Sequence, residues 1–227
     1  MRSLVALFAA CVLALGVAAC GGDDDDGDTV ATPPPPAATG TSRGGCRDVP
    51  QPQPKTVGAQ TAPTELLSEA ETCEVEVETS CGTFTITLDQ QASPNAAASF
   101  AALARNGFFD DTFFHRIVPG FVIQGGDPTG TGTGGPGYST RDIPKPGTQY
   151  TKNVVAMAKT GADAPGTAGS QFFIVTAPDI GLPPQYAVVG KVTDGLDVVA
   201  RIAVLGDPNT EAPTQPVVIV RMRVDEG

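Results

Sequence analysis

Two stretches of the chain alternate apolar and polar residues with period two. Cys73-Glu74-Val75-Glu76-Val77-Glu78-Thr79 is one and Phe84-Thr85-Ile86-Thr87-Leu88 is the other. A strand sends successive side chains to opposite faces, so this alternation predicts two strands with one buried face each. Ser80-Cys81-Gly82 between them reads as a hairpin connection. The period then lengthens. Ala96, Ala97, Phe100, Leu103 and Ala104 recur at helical spacing, behind Ser93 as N-cap and Pro94 as first helical residue. Asn106-Gly107 predicts the stop. Apolar runs at 112–118, 121–124, 153–158, 171–176, 187–192 and 217–224 read as short strands, and 195–204 as a second short helix. Many short strands with two helices imply an antiparallel barrel or sandwich.

The pattern differs before residue 71. Arg2 precedes Leu4–Ala19, a largely apolar run of 16 residues. That is short of the roughly 20 that span a bilayer and has the shape of a secretory signal. Its end, Val17-Ala18-Ala19-Cys20, resembles the bacterial lipobox, with Val17 in place of the commoner leucine. The expected organisation is therefore a signal peptide over 1–19 and a folded domain over 71–227. Between them, residues 20–70 form a tether lipidated at Cys20. The tether carries Asp23–Asp26, Pro33–Pro36 and a Pro/Gln stretch from Pro50 to Pro54. Such composition buries too little apolar surface to offset ordering, and proline keeps it semi-extended. The expected location is exported, with a lipid anchor in the cell membrane or envelope and the domain on the extracytoplasmic side; several acyl chains on one residue hold stably.

The 227 residues are 41% hydrophobic, enough for one substantial domain with appendages. A formal net charge of −11 argues against a nucleic-acid partner, which needs a basic face. A monomer is expected. With Cys20 lipidated and Cys11 removed, Cys46, Cys73 and Cys81 remain. The single histidine, His115, and the absence of a C-x-x-C spacing give no zinc pattern, and no metal or cofactor is expected. An oxidising compartment permits disulfides. Cys73 and Cys81 flank an extended segment that covers more than roughly 20 Å, too far for a bridge unless it bends. Cys46, on the arm, can reach either; Cys46–Cys81 is the favoured pair.

The chemistry concentrates in Phe113-Phe114-His115-Arg116-Ile117-Val118-Pro119-Gly120-Phe121-Val122-Ile123-Gln124-Gly125-Gly126-Asp127. Arg116 is a permanent cation inside an apolar stretch, and a guanidinium there must be ion-paired or aimed at a ligand. A second stretch is Gly169-Ser170-Gln171-Phe172-Phe173-Ile174-Val175-Thr176. Together these resemble the signature of the cyclophilin-type peptidyl-prolyl isomerases, over about Glu74 to Val224. The resemblance implies a closed eight-stranded antiparallel barrel with a helix capping each end, and isomerisation of X–Pro bonds in proline-containing polypeptide segments. It implies Arg116 as catalytic residue, Phe121 and Gln124 as the aromatic and amide of the peptide site, and Phe173 as the floor of the proline pocket. Ala158, Lys159 and Thr160 correspond to the strip that pairs with substrate backbone. Leu182 matches a pocket wall and Gln171 a supporting amide.

Three positions depart from the family pattern. Tyr186 stands where many relatives place a pocket histidine, Gly181 where cyclosporin-sensitive members have tryptophan, and Val122 where methionine is common. Arg116 and Val118 should share one strand face, and a bulge near Pro119-Gly120 would re-aim Phe121. His115 alternates with Arg116, so it should face away from the substrate as a buried, hydrogen-bonded histidine. The glycine-rich segment 125–135 lacks the Gly-Lys-[Ser/Thr] ending of a phosphate loop and reads as a tight surface loop. Two other functions fit less well. One is a proline-binding holdase without turnover, and the other is a hydrolase that would need His115 as base.

Overall fold

The structure, a computed structural model, describes residues 44–227. The expected signal peptide, Cys20 and the first part of the tether lie outside these residues.

The paired strands β1 (Cys73–Thr79) and β2 (Gly82–Leu88) form the expected hairpin. Val75, Val77, Phe84 and Ile86 face inward and are fully buried, while Glu76 and Glu78 face out and pair with Arg223 and Arg221. Helix α1 (Pro94–Arg105) follows. Ser93 occupies its N-cap position but makes no side-chain cap bond. Asp142 caps instead, from far along the chain: its Oδ2 accepts the Ala96 N–H at 2.7 Å and its Oδ1 accepts from Asn95 at 2.8 Å. The sequence signal placed the helix start correctly but not the group that satisfies it. At the other end Gly107, at φ +66°, donates to Ala104 while Phe108 donates to Leu103, which closes the last turn.

Next come β3 (Thr112–Phe113), β4 (Arg116–Val118), β5 (Val122–Gly125), β6 (Thr140–Arg141), β7 (Val154–Met157), β8 (Thr167–Ala168), β9 (Phe172–Val175) and β10 (Val188–Asp194). Helix α2 (Leu196–Ala203) and β11 (Val218–Glu226) complete the chain. All pairings between these strands are antiparallel. The main sheet runs β3-β11-β1-β2-β10-β7-β9-β5-β4, and β6 and β8 form a separate small ribbon. The expected closed eight-stranded barrel is therefore not what forms. The sheet has nine strands and is an open half-barrel with β3 and β4 as its edges. The reason lies in run 112–118, expected as one strand. Its first part pairs with β11 and its last part with β5. Phe114 and His115 cross between the two edges, so covalent chain rather than a hydrogen-bonded ladder joins them.

Strands β7 and β9 are apolar on both faces, and β5 is apolar apart from Gln124 on its outer face. On β9, Phe172 and Ile174 enter the main core with Phe100, Phe109 and Phe114, while Phe173 and Val175 point outward. Ile123, Val155 and Met157 likewise face in, and Val122 and Ala156 face out. The outward side chains form a second apolar cluster with Tyr150. A continuously apolar strand is expected where both faces are covered. Here the second face is covered by the loops that build the site.

Residues 46–67 are not a free tether. Cys46 is disulfide-bonded to Cys81. Arg47, Lys55 and Gln60 donate backbone N–H groups to Ser80, Pro128 and Pro136, each at 2.8 Å, and the Lys55 ammonium reaches the Asp110 carbonyl. Val57 and Leu67 pack against the core. The composition of the arm hid this, because the stitching uses backbone groups and one thiol. Cys73 is buried with a free thiol, its pKa pushed up to about 11 by burial and then by Glu226. Among the described residues no helix is long and apolar enough to cross a membrane.

Candidate functional site

Directly opposed residues on neighbouring strands share a face. Arg116 on β4 opposes Gln124 on β5, Gln124 opposes Phe173 on β9, and Phe173 opposes Ala156 on β7. The register thus lays a cation, an amide, an aromatic ring and a small residue side by side across the outside of the sheet. Their row opens into a cavity of about 240 Å³ lined by Arg116, Phe121, Val122, Gln124, Ala158, Lys159, Phe173, Leu182 and Tyr186. Thr160 and Gln171 line an adjoining hollow with Gly132–Gly134 and Asp163.

Arg116 is held at two points. Its Nε donates to Glu211 Oε2 at 2.6 Å and its Nη1 to Gln124 Oε1 at 3.3 Å. Gln124 Nε2 donates to Gln171 Oε1 at 3.1 Å, and Gln171 Nε2 to the Gly134 carbonyl at 3.0 Å. The polar side chains therefore form one continuous chain from Glu211 to the glycine-rich loop, with Arg116 donating in both directions. That loop is organised by Asp127, which accepts from Thr129, Gly132 and Gly134. Burial acts to raise the Asp127 pKa, but these hydrogen bonds outweigh it and hold the carboxyl below its usual range. Gly126 is required where the loop leaves β5: at φ +83°, a Cβ there would lie 2.4 Å from the Ser170 carbonyl.

The apolar end is aromatic. Phe173 is 5% exposed and packs edge-on against Tyr186 at 5.6 Å. Tyr150, fully buried beneath, donates its hydroxyl to the Tyr186 carbonyl at 2.8 Å and accepts the Tyr186 N–H at 2.9 Å. Lys159 Nζ sits 5.5 Å from the Tyr186 ring centre and donates to the carbonyls of Thr160 and Asp163. Thr160 is exposed, and both its N–H and its hydroxyl donate to Asp163 Oδ2, so it offers no free donor to a chain lying in the site.

Strands β4 and β5 join without a bulge. Val118 opposes Val122, and the Phe121 N–H closes a turn onto the Val118 carbonyl at 3.0 Å with Gly120 at φ +70°. A tight turn, not an inserted residue, brings Phe121 to the rim. His115 is also not as expected. Neither ring nitrogen has a hydrogen-bond partner among the described residues. Burial lowers its pKa, with the Asp127 charge opposing and Arg116 assisting. Two contributors were not legible in the sequence. Glu211 lies in the 205–214 loop, where a lone acid carries no pattern. Tyr150, an isolated aromatic among Gly, Pro and Thr, was the only available hint of a buried anchor.

An arginine, an amide and an aromatic floor thus share one cavity on the outside of the antiparallel half-barrel. The model of the "cyclophilin type peptidyl-prolyl cis-trans isomerase/CLD" family matches residues 74–224. "Peptidyl-prolyl cis-trans isomerase-like 1" of Neurospora crassa is 42% identical over 155 residues, covering 66% of this chain and 93% of the relative. The crystal structure of a cyclophilin type peptidyl-prolyl cis-trans isomerase from Cryptosporidium parvum superposes with a TM-score of 0.63 at 32% identity, covering 69% of this chain and 99% of that one. The same Cryptosporidium protein in the presence of the dipeptide Ala-Pro gives 0.62 at 31% identity, covering 68% of this chain and 99% of that one. The chain belongs to the cyclophilin-type peptidyl-prolyl cis-trans isomerases and is an isomerase.

Proposed function

We propose that this isomerase accelerates rotation about X–Pro bonds in exported proteins, with Arg116 stabilising the twisted amide. Amide resonance sets a barrier of about 18–20 kcal/mol, and unassisted rotation takes tens to hundreds of seconds. No bond to substrate is made, so neither nucleophile nor proton shuttle is needed. When the amide twists, the nitrogen lone pair localises and accepts a hydrogen bond. A fixed cationic donor aimed at that nitrogen favours the twisted form over the planar one. Arginine stays charged and presents rigid donors. The apolar walls of Phe121, Val122, Phe173 and Leu182 seat the proline ring and exclude water, and the Ala-Pro dipeptide used with the Cryptosporidium relative is of that chemistry. The observation that carries this reading is the row in which a doubly held Arg116 shares a cavity with the Phe173 ring. Arg116→Ala should lower kcat/KM in a protease-coupled proline-peptide assay by at least about tenfold, equivalent to about 1.4 kcal/mol. Near-normal activity in a variant with an unchanged circular dichroism spectrum refutes the assignment.

The same reading places the domain outside the cytoplasm on a lipidated Cys20. The apolar N-terminal run, the lipobox-like Val17-Ala18-Ala19-Cys20 and the Cys46–Cys81 bridge, which suits an oxidising compartment, support it. Cys20→Ala should abolish incorporation of labelled fatty acid and release the protein from the membrane fraction. A wild-type protein that is soluble and unlabelled refutes the anchor.

A further inference from the structure

The catalytic reading leaves the partner of Arg116 unexplained. Glu211 is held in place by a loop that is itself well tied. Asp207 Oδ1 accepts the N–H groups of Asn209 and Thr210 at 2.8 and 3.0 Å, and the Asp207 carbonyl accepts the Glu211 N–H at 2.8 Å. The Glu211 carbonyl then accepts the Ile117 N–H at 2.8 Å, fastening the loop to β4 one residue from Arg116. Within this loop Glu211 adopts φ +59°. The other described non-glycine residues with positive φ are Asp111 and Asn153, of types that tolerate the left-handed region. Glutamate does not favour it, and glycine would be relaxed there. A strained backbone that delivers one carboxylate to one guanidinium points to a function for that contact.

We infer that Glu211 is a positioning residue: it fixes the guanidinium of Arg116 so that the remaining donors face the reacting amide. The inference deepens the proposed role of Arg116 and rests on it. A guanidinium has five N–H donors. Glu211 takes the one on Nε and Gln124 takes one on Nη1, which leaves three without a partner among the described residues on a side chain that lines the cavity. Without Glu211 only the 3.3 Å contact to Gln124 would orient a long, flexible side chain. The carboxylate does not help through its charge, because a negative group beside the cation weakens the field at the substrate nitrogen. That cost is small, since the two side chains are 34% and 46% exposed and water screens the pair. Orientation is what Glu211 supplies.

Steady-state kinetics on a proline peptide separate the cases, using the full chain with Glu211→Gly, Glu211→Gln, Arg116→Ala and the double variant Arg116→Ala/Glu211→Gly. Glu211→Gly removes the side chain at a position glycine accepts, so its unfolding midpoint should not fall below wild type. Its kcat should drop about 3- to 10-fold with KM little changed. Glu211→Gln keeps an acceptor for Nε and should lose less than Glu211→Gly. In the Arg116→Ala background the glycine substitution should have no further effect. Wild-type or raised kcat in Glu211→Gly overturns the inference, as does an equal loss with and without Arg116. If Arg116→Ala is inactive while Glu211→Gly is fully active, this inference alone fails. If Arg116→Ala itself stays active, the proposed role of Arg116 fails and this inference falls with it.

Discussion

Removing the Cys46–Cys81 bridge should cost the domain a large part of its stability while sparing its chemistry. The bridge joins residues separated by 35 positions. Closing a loop of that length in the unfolded chain removes entropy equivalent to about 3.8 kcal/mol at 25 °C. For a domain of this size each kcal/mol moves Tm by about 2–4 °C, so the bridge corresponds to about 8–15 °C. Neither cysteine lines the cavity. Cys46→Ala/Cys81→Ala should therefore melt about 8–15 °C below wild type by circular dichroism, yet show wild-type isomerase activity well below its midpoint. Reduction of the wild type should reproduce the shift. Cys73 should not interfere: with its buried thiol at a pKa of about 11, little thiolate exists near neutral pH to attack the bridge. A midpoint within about 3 °C of wild type would refute the reasoning. It would mean that cutting the bridge gives the unfolded chain little extra freedom.

Stability should also depend on His115. Its folded-state pKa is lowered, chiefly by burial, so the unfolded chain binds the proton more readily. Its contribution is complete above the ordinary value of about 6.5 and is lost as pH falls towards the folded value. Urea unfolding from pH 7 to 5 should show a decline that His115→Leu flattens; a wild type that gains stability over that range contradicts this. Cyclosporin should inhibit weakly, because Gly181 lacks the ring and N–H of the tryptophan in sensitive relatives. Gly181→Trp should not restore inhibition cleanly either, since Gly181 sits at φ +61°, where a side chain costs about 1–2 kcal/mol. Tight inhibition of the wild type in the isomerase assay refutes the first statement, and full recovery in the variant refutes the second.

What was legible in the sequence was local. The alternation over 73–79 and 84–88 marked strands because one face of each is buried, and the run at 171–176 marked β9 because both faces are. Proline and the Asn-Gly pair bounded α1, since those residues act on their own backbone. Arg116, Gln124 and Phe173 were singled out by the resemblance of two motifs, and the register sets them side by side. The misses were tertiary. Run 112–118 contains no glycine or proline to mark a break, yet its two ends pair with different strands. The two-residue strands β6 and β8 are too short to show a period. Asp142 capping α1, Tyr150 holding Tyr186 and Glu211 holding Arg116 each act across long sequence distances, where no local pattern can point. His115 was expected to be satisfied because buried polar groups usually are.

The position of β1 has a consequence for how the protein comes into being. In the sheet β1 lies between β2 and β11, and its first residue, Cys73, pairs with Glu226, next to the end of the chain. Synthesis proceeds from the N-terminus, so β1 waits for a neighbour that is made after every other strand of the sheet. Until β11 emerges, one edge of β1 is bare and β3 has no partner strand. Pairings of such long range are formed late and cooperatively. The half-barrel, and with it the carboxylate behind Arg116, is thus completed only once β11 has paired with β1 and β3.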